Sequence, residues 1–143
     1  GNKLTALLTL FFDALKGFAP VWISLQFSSI LFIYVGIFVL LGHMYPIWLK
    51  FKGGKGVATF LGVIFAISIN SGFLFILSWI IIAFIYKKSS ISSLSATLFS
   101  SLYIAFYNPN LTFLIIIMLG FIIIKHKENL IRIYKNTEPN IKI

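Results

Sequence analysis

With 143 residues, 59% hydrophobic and 17% aromatic, only 10% charged and a mean hydropathy of +1.01, the chain falls outside the range of ordinary soluble domains. It reads as all-α, a polytopic integral membrane helix bundle, and the absence of cysteine excludes disulfides, a thiolate nucleophile and thiolate metal ligation. The formal charge of +9 would suit nucleic acid, but the lysines sit between apolar runs rather than on a polar surface, so the expected partner is the lipid bilayer and no nucleic acid.

Residues 4 to about 25 form a first apolar segment, interrupted by Asp13 and Lys16. These two stand three apart on one helix face and can neutralise each other, so they are read first as a structural ion pair. The run lacks a basic start and a small-residue cleavage site, which excludes a cleavable signal peptide. A weak polar break at residues 26–29 precedes a second run over residues 30–41. An uncharged run over residues 57–86 is too long for one span of about 20 residues, and Asn70, Ser71 and Gly72 supply turn chemistry to split it into two short helices. Lys87, Lys88 and a serine-rich turn over residues 89–95 follow. Another apolar run ends at Tyr107, Asn108, Pro109 and Asn110 make a turn, and residues 111–124 form the last span before a polar, basic tail.

With about six short crossings, the uncharged turns at 26–29, 70–72 and 108–110 fall on one side of the membrane. Eleven of the twelve basic residues then fall on the other, Lys16 being the exception. An excess of lysine and arginine marks the cytoplasmic side. A single helix over 57–86 would separate the basic segments on either side of it, which favours the split.

Residues 42–59, GHMYPIWLKFKGGKGVAT, are where this apolar chain turns abruptly polar, basic and glycine-rich. Gly53, Gly54 and Gly56 bracket Lys55, Lys50 and Lys52 precede them, and a helix-compatible run follows. The pattern suits an anion: glycines let backbone N–H groups converge, lysines add charge, and a helix start adds unpaired N–H groups. It is not a nucleotide-binding P-loop, since Gly56 stands where that motif needs serine or threonine. The tail opens with a second polar cluster, Lys125, His126, Lys127, Glu128 and Asn129, then Arg132, Asn136, Thr137 and Glu138. Continuation of the last helix puts His126 and Asn129 on one face at i and i+3, with Glu128 turned away and Arg132 one turn beyond. A histidine beside a carboxamide can bind or activate a polyol hydroxyl.

The string G-H-x-x-P followed by F-K-G-G-K-G-V-A-T closely resembles the bacterial acyl-phosphate:glycerol-3-phosphate acyltransferases, the PlsY family. The tail H-K-E-N-L-I-R-I-Y-K-N-T-E-P is similar to the H-R-E-N-I-x-R-L-x-x-G-T-E tail of the same family, with Asn136 where the family usually has glycine. Asp13-x-x-Lys16-Gly17 and the serine-rich segment also look like family landmarks. The resemblance implies a seven-span bundle in the bacterial inner membrane with its site on the cytoplasmic face. The family's first helix and a following G-S-G-N-type segment find no counterpart upstream of Leu4, and the chain starts at Gly1 rather than Met. Residues 1–143 are therefore expected to be a single transmembrane acyltransferase domain, N-terminally incomplete relative to the family.

The resemblance further implies transfer of a fatty acyl group from acyl phosphate to the 1-hydroxyl of sn-glycerol 3-phosphate, giving lysophosphatidic acid and phosphate. Such chemistry needs positioning, neutralisation of two phosphates and removal of a hydroxyl proton. Gly53, Gly54, Lys55 and Gly56 are assigned to the donor phosphate, assisted by Lys52, Thr59 and His43. His126 and Asn129 are assigned to glycerol 3-phosphate, with Glu128, Arg132, Asp13 and Lys16 in supporting positions. His126, His43 or a substrate phosphate oxygen takes the proton. The H-x-x-x-x-D acyltransferase signature is absent, since Trp48 and Ile131 stand at the aspartate position. No cofactor is expected, and no cluster has metal-ligand spacing. The competing reading is a non-enzymatic transporter or assembly subunit whose basic loops bind anionic lipid. It predicts polar residues lining a path through the spans, which are apolar apart from Asp13, Lys16, Asn70 and scattered serines.

Overall fold

A computed structural model describes residues 2–27 and 30–141, so Ser28 and Ser29 of the expected polar break lie outside the described residues. Among the described residues there are seven α-helices and no strand: α1 (Lys3–Leu25), α2 (Leu31–Met44), α3 (Val57–Ile67), α4 (Ile69–Tyr86), α5 (Ser89–Tyr107), α6 (Thr112–Lys125) and α7 (Lys127–Tyr134). The chain is an all-α, multi-pass membrane protein. Four stretches are long and apolar enough to cross a membrane: Lys3–Leu25, Leu31–Leu49, Ile69–Tyr86 and Ser89–Tyr107. The remaining two of the six expected apolar helices are shorter: α3, and α6, which joins α7 at a bend of 58°. Contacts divide the chain into two units, residues 1–72 and 73–143.

In the first unit, α1 opens on Asn2, whose side chain accepts the Leu4 N–H at 3.0 Å and so satisfies one otherwise orphan donor. α1 packs closely on α3. A Cβ at Gly17 would strike the backbone of Thr59, and one at Gly62 would strike the backbone of Ala14. Small residues at a crossing let membrane helices approach backbone to backbone, where dispersion replaces the missing hydrophobic drive. Val21, Leu40, Met44, Phe60, Val63 and Ile64 are completely buried.

The split of the run over residues 57–86 occurs at Ser68, not at Asn70, Ser71 and Gly72. Ser68 is extended (φ −153°, ψ 110°), and its N–H closes α3 on the Ile64 carbonyl at 2.8 Å. Its hydroxyl then accepts the Ser71 N–H at 3.3 Å and its carbonyl accepts the Gly72 N–H at 3.1 Å, which starts α4. One capping serine thus does what a three-residue turn was expected to do, and the three turn-formers become the first turn of a helix.

In the second unit the serine-rich segment also departs from expectation. Residues 89–95 form the first two turns of α5, and only Lys87 and Lys88 connect it to α4. The hydroxyls of Ser92, Thr97 and Ser100 bond back to the carbonyls of Lys88, Ser93 and Ala96 at 2.7–2.9 Å, which satisfies these three inside the helix, whereas the buried Ser101 hydroxyl has no partner among the described residues. Ser93 also accepts the Trp79 indole N–H at 3.1 Å, which ties α4 to α5. Asn108, Pro109 and Asn110 form the expected turn, tightened into a short 3-10 segment. Ile104, Leu114, Met118 and Ile122 are completely buried between α5 and α6.

Candidate active site

Within the first unit, the glycine-rich loop folds back on the end of α2. Pro46 opens a single 3-10 turn, then Lys50 and Phe51 both take left-handed backbone (φ 51° and 63°). Such a conformation at a non-glycine residue costs of order 1–3 kcal/mol and persists only where neighbours impose it. Here the Phe51 N–H is held by the Pro46 carbonyl at 3.0 Å and the Gly53 N–H by the Met44 carbonyl at 3.2 Å. Gly54 lies against His43, whose Nε2 occupies the space that a Cβ would need. Gly56 is left-handed (φ 83°) and, as the N-cap of α3, supplies no side-chain hydrogen bond to the first-turn N–H groups. Lys52 and Lys55 are exposed, and neither has an ion-pair partner among the described residues.

Asp13 and Lys16 form the expected ion pair, at 2.9 Å. Asp13 also lies 3.6 Å from His43 Nδ1, so the pair reaches the histidine that backs the glycine loop. Thr59 is placed differently from the lysines. It is completely buried under α1, and its hydroxyl has no hydrogen-bond partner among the described residues.

Within the second unit, His126 sits at the bend between α6 and α7, 2% exposed. Its Nδ1 is 2.8 Å from the Ile122 carbonyl, which can only accept, so Nδ1 carries the proton and Nε2 the lone pair of the neutral ring. Asn129 shares the buried side, as the i, i+3 spacing predicts, while the Glu128 side chain is 89% exposed and 4.0 Å from Arg132. The group that organises these residues is Glu138. Its buried carboxylate accepts from Asn129 Nδ2 at 2.8 Å, from the Ser90 hydroxyl, and from Arg132 Nε at 2.8 Å. The Lys88 ammonium donates to the Glu138 carbonyl at 2.7 Å, and the Ile141 N–H to the Lys87 carbonyl at 2.7 Å, so the tail is strapped across the start of α5.

Burial pushes the Glu138 carboxyl up, but the hydrogen bonds from Ser90, Asn129 and Arg132, with the guanidinium charge, outweigh it and hold the group at about 2. An ionised carboxylate cannot donate, so Asn129 must turn its NH2 toward Glu138. The Asn129 Oδ1 is left buried and without a partner among the described residues.

The sequence profile of the family described as glycerol-3-phosphate acyltransferase matches residues 1–136. The chain belongs to this family. Among its relatives, the glycerol-3-phosphate acyltransferase of Wolbachia pipientis wMel is 42% identical over 96% of this chain and 73% of its own length. The protein of the same name from Pelagibacter ubique is 43% identical over 100% of this chain and 75% of its own length. A crystal structure of PlsY, an integral membrane glycerol 3-phosphate acyltransferase in its glycerol 3-phosphate form, superposes with a TM-score of 0.93 at 36% identity, covering 97% of this chain and 72% of that one. PlsY in a lysophosphatidic acid form matches equally well. The transporter or assembly-subunit reading finds no support among these relatives.

For this acyltransferase, reading the sequence alone assigned no role to Glu138. No spacing signal singled it out: Asp13 has Lys16 at i+3, Glu128 has Arg132 at i+4, and Glu138 likewise has Lys135 at i−3 and Lys142 at i+4. Its carboxylate instead bonds Ser90, 48 residues away, together with Asn129 and Arg132, partners that helical spacing does not predict.

Asn136, where the family pattern carries glycine, has φ 56°, and the next N–H returns to the Arg132 carbonyl at 2.8 Å. Asparagine is the side chain that tolerates this conformation best after glycine. Asn136→Gly should therefore leave thermal stability in detergent almost unchanged, whereas Asn136→Val should cost about 1–2 kcal/mol. Equal stability of the two variants would show that this left-handed turn is not enforced.

Proposed function

We propose that the chain transfers a fatty acyl group from acyl phosphate to the 1-hydroxyl of sn-glycerol 3-phosphate at the cytoplasmic face of a bacterial inner membrane. The hydroxyl oxygen bonds to the acyl carbon, the carbon–oxygen bond to phosphate breaks, and the hydroxyl proton leaves with inorganic phosphate or through His126 or His43. The observation that carries the reading is the uncapped start of α3, with Gly54 and Gly56 before it and exposed Lys55 among them. Convergent N–H groups, a helix dipole and an unpaired ammonium favour a substrate phosphate there. The buried, unpartnered Oδ1 of Asn129 is an acceptor suited to a hydroxyl of the polyol, and His126 stands one turn before it. Asp13 and Lys16 support the loop through His43, and Arg132 supports Asn129 through Glu138.

The test is turnover in liposomes with each substrate varied in turn. Lys55→Ala should lower kcat/KM by about tenfold or more, the loss of one charge-assisted hydrogen bond to phosphate, and the substrate whose KM rises identifies the phosphate held by the loop. Asn129→Ala should lose activity by a similar factor with glycerol 3-phosphate. Parental turnover in both variants would remove this site.

A further inference from the structure

α7 carries a second face that the proposed chemistry does not use. Lys127, Leu130, Ile131 and Tyr134 recur at i, i+3, i+4 and i+7, on the side opposite Asn129. With Ile123 and Ile124 from the end of α6 they line an open groove of about 530 Å³. That is the size of a site for one small ligand or chain. Its apolar residues are strongly exposed, Ile124 at 61% and Tyr134 at 89%. No acidic residue lines the groove. Lys127 is exposed and has no ion-pair partner among the described residues, and Lys135 follows directly at the end of α7.

We infer that this groove seats one acyl chain of an anionic phospholipid of the surrounding bilayer, with its headgroup at Lys127. Three observations select that occupant. α6 is apolar from Phe113 to Ile124, whereas α7 is polar on one side and turns away by 58°, as a helix does on passing from the hydrocarbon core into the headgroup layer. The walls are apolar and the rim is basic, which complements a fatty chain below an anionic headgroup. Lys127 lines the groove and is exposed, and an amphipathic side chain at an interface can lay its stem on an apolar wall and offer its ammonium to a headgroup.

The absence of cysteine makes a single labelled site straightforward to build. Ile131→Cys, and separately Leu130→Cys, would carry an environment-sensitive fluorophore in vesicles of phosphatidylcholine and phosphatidylglycerol, with brominated chains on one lipid at a time at equal mole fraction. Brominated phosphatidylglycerol should quench about fivefold more strongly than brominated phosphatidylcholine, the selectivity one lysine confers at an anionic surface, and Lys127→Glu should bring the ratio to about one. Equal quenching by both lipids would mean an unselective annulus. No quenching by either would mean that water or protein fills the groove. A preference surviving Lys127→Glu would place the headgroup elsewhere. Each of these three results overturns the assignment.

Discussion

Glu138→Ala should destabilise the protein by about 3 kcal/mol, because it strands the buried Asn129 amide and Ser90 hydroxyl, each worth roughly 1–3 kcal/mol when left unsatisfied. Activity should fall by about a hundredfold in the fraction that remains folded, since nothing else fixes which way Asn129 points and a small misplacement of a positioning group costs that much. Glu138→Gln separates the two effects. It keeps the volume but adds a donor, so Asn129 can flip its oxygen toward residue 138 and lose the acceptor offered to substrate. Its turnover should therefore fall as in Glu138→Ala, while its stability at neutral pH, with the volume kept but the ionised carboxylate gone, should lie between those of Glu138→Ala and the parent.

The pH dependence follows from the same carboxylate. Its folded-state value of about 2 lies below the ordinary 4.5, so its stabilising contribution is complete above pH 4.5 and is lost as pH falls through about 2. The parent should lose stability steadily across that window, measured by thermal unfolding in detergent, and Glu138→Gln should lack this component of the slope. A parallel acid profile for both proteins would show that Glu138 is not held ionised, and the orientation assigned to Asn129 would fall with it.

Gly54→Val should reduce kcat/KM by about a hundredfold while leaving the helices intact, because its Cβ would occupy the position of His43 Nε2. The ring has little room to yield: its side chain is 14% exposed, and its other nitrogen lies 3.6 Å from Asp13. The loop must lift instead, carrying Lys55 and the approach to α3 with it. A double-mutant cycle isolates this contact. Gly54→Ala should be costly in the parent and nearly free in a His43→Ala background, so the two losses are strongly non-additive. Additive losses would mean that His43 does not shape the loop.

Membrane class and helix content followed from the sequence because they depend on summed apolarity, which needs no partner. The glycine-rich loop stood out in the sequence for a related reason. The roles proposed for Gly54, Lys55 and Gly56 rest on backbone and charge at adjacent positions, and those proposed for His126 and Asn129 on one helical turn. Local breaks were less legible. Ser68 and the serines of α5 have the same side chain, yet one ends a helix and the others sit inside one. The difference is whether the hydroxyl accepts a following N–H or bonds back to a preceding carbonyl, and the surrounding packing selects between the two.

What the sequence by itself determined is therefore everything carried by composition and short spacing: an all-helical membrane chain, its family, and two polar clusters with named residues. Only the tertiary structure decided that Asp13 reaches His43, that Gly54 rests on that imidazole, and that Glu138 gathers Ser90, Asn129 and Arg132 while the tail crosses the start of α5. None of these contacts falls at a helical or strand spacing, and those of Asp13 with His43 and Ser90 with Glu138 join residues 30 and 48 apart in the chain. Their partners are set by which helices lie side by side, and that is fixed by close packing such as Gly17 on α3 rather than by any pattern readable along one segment.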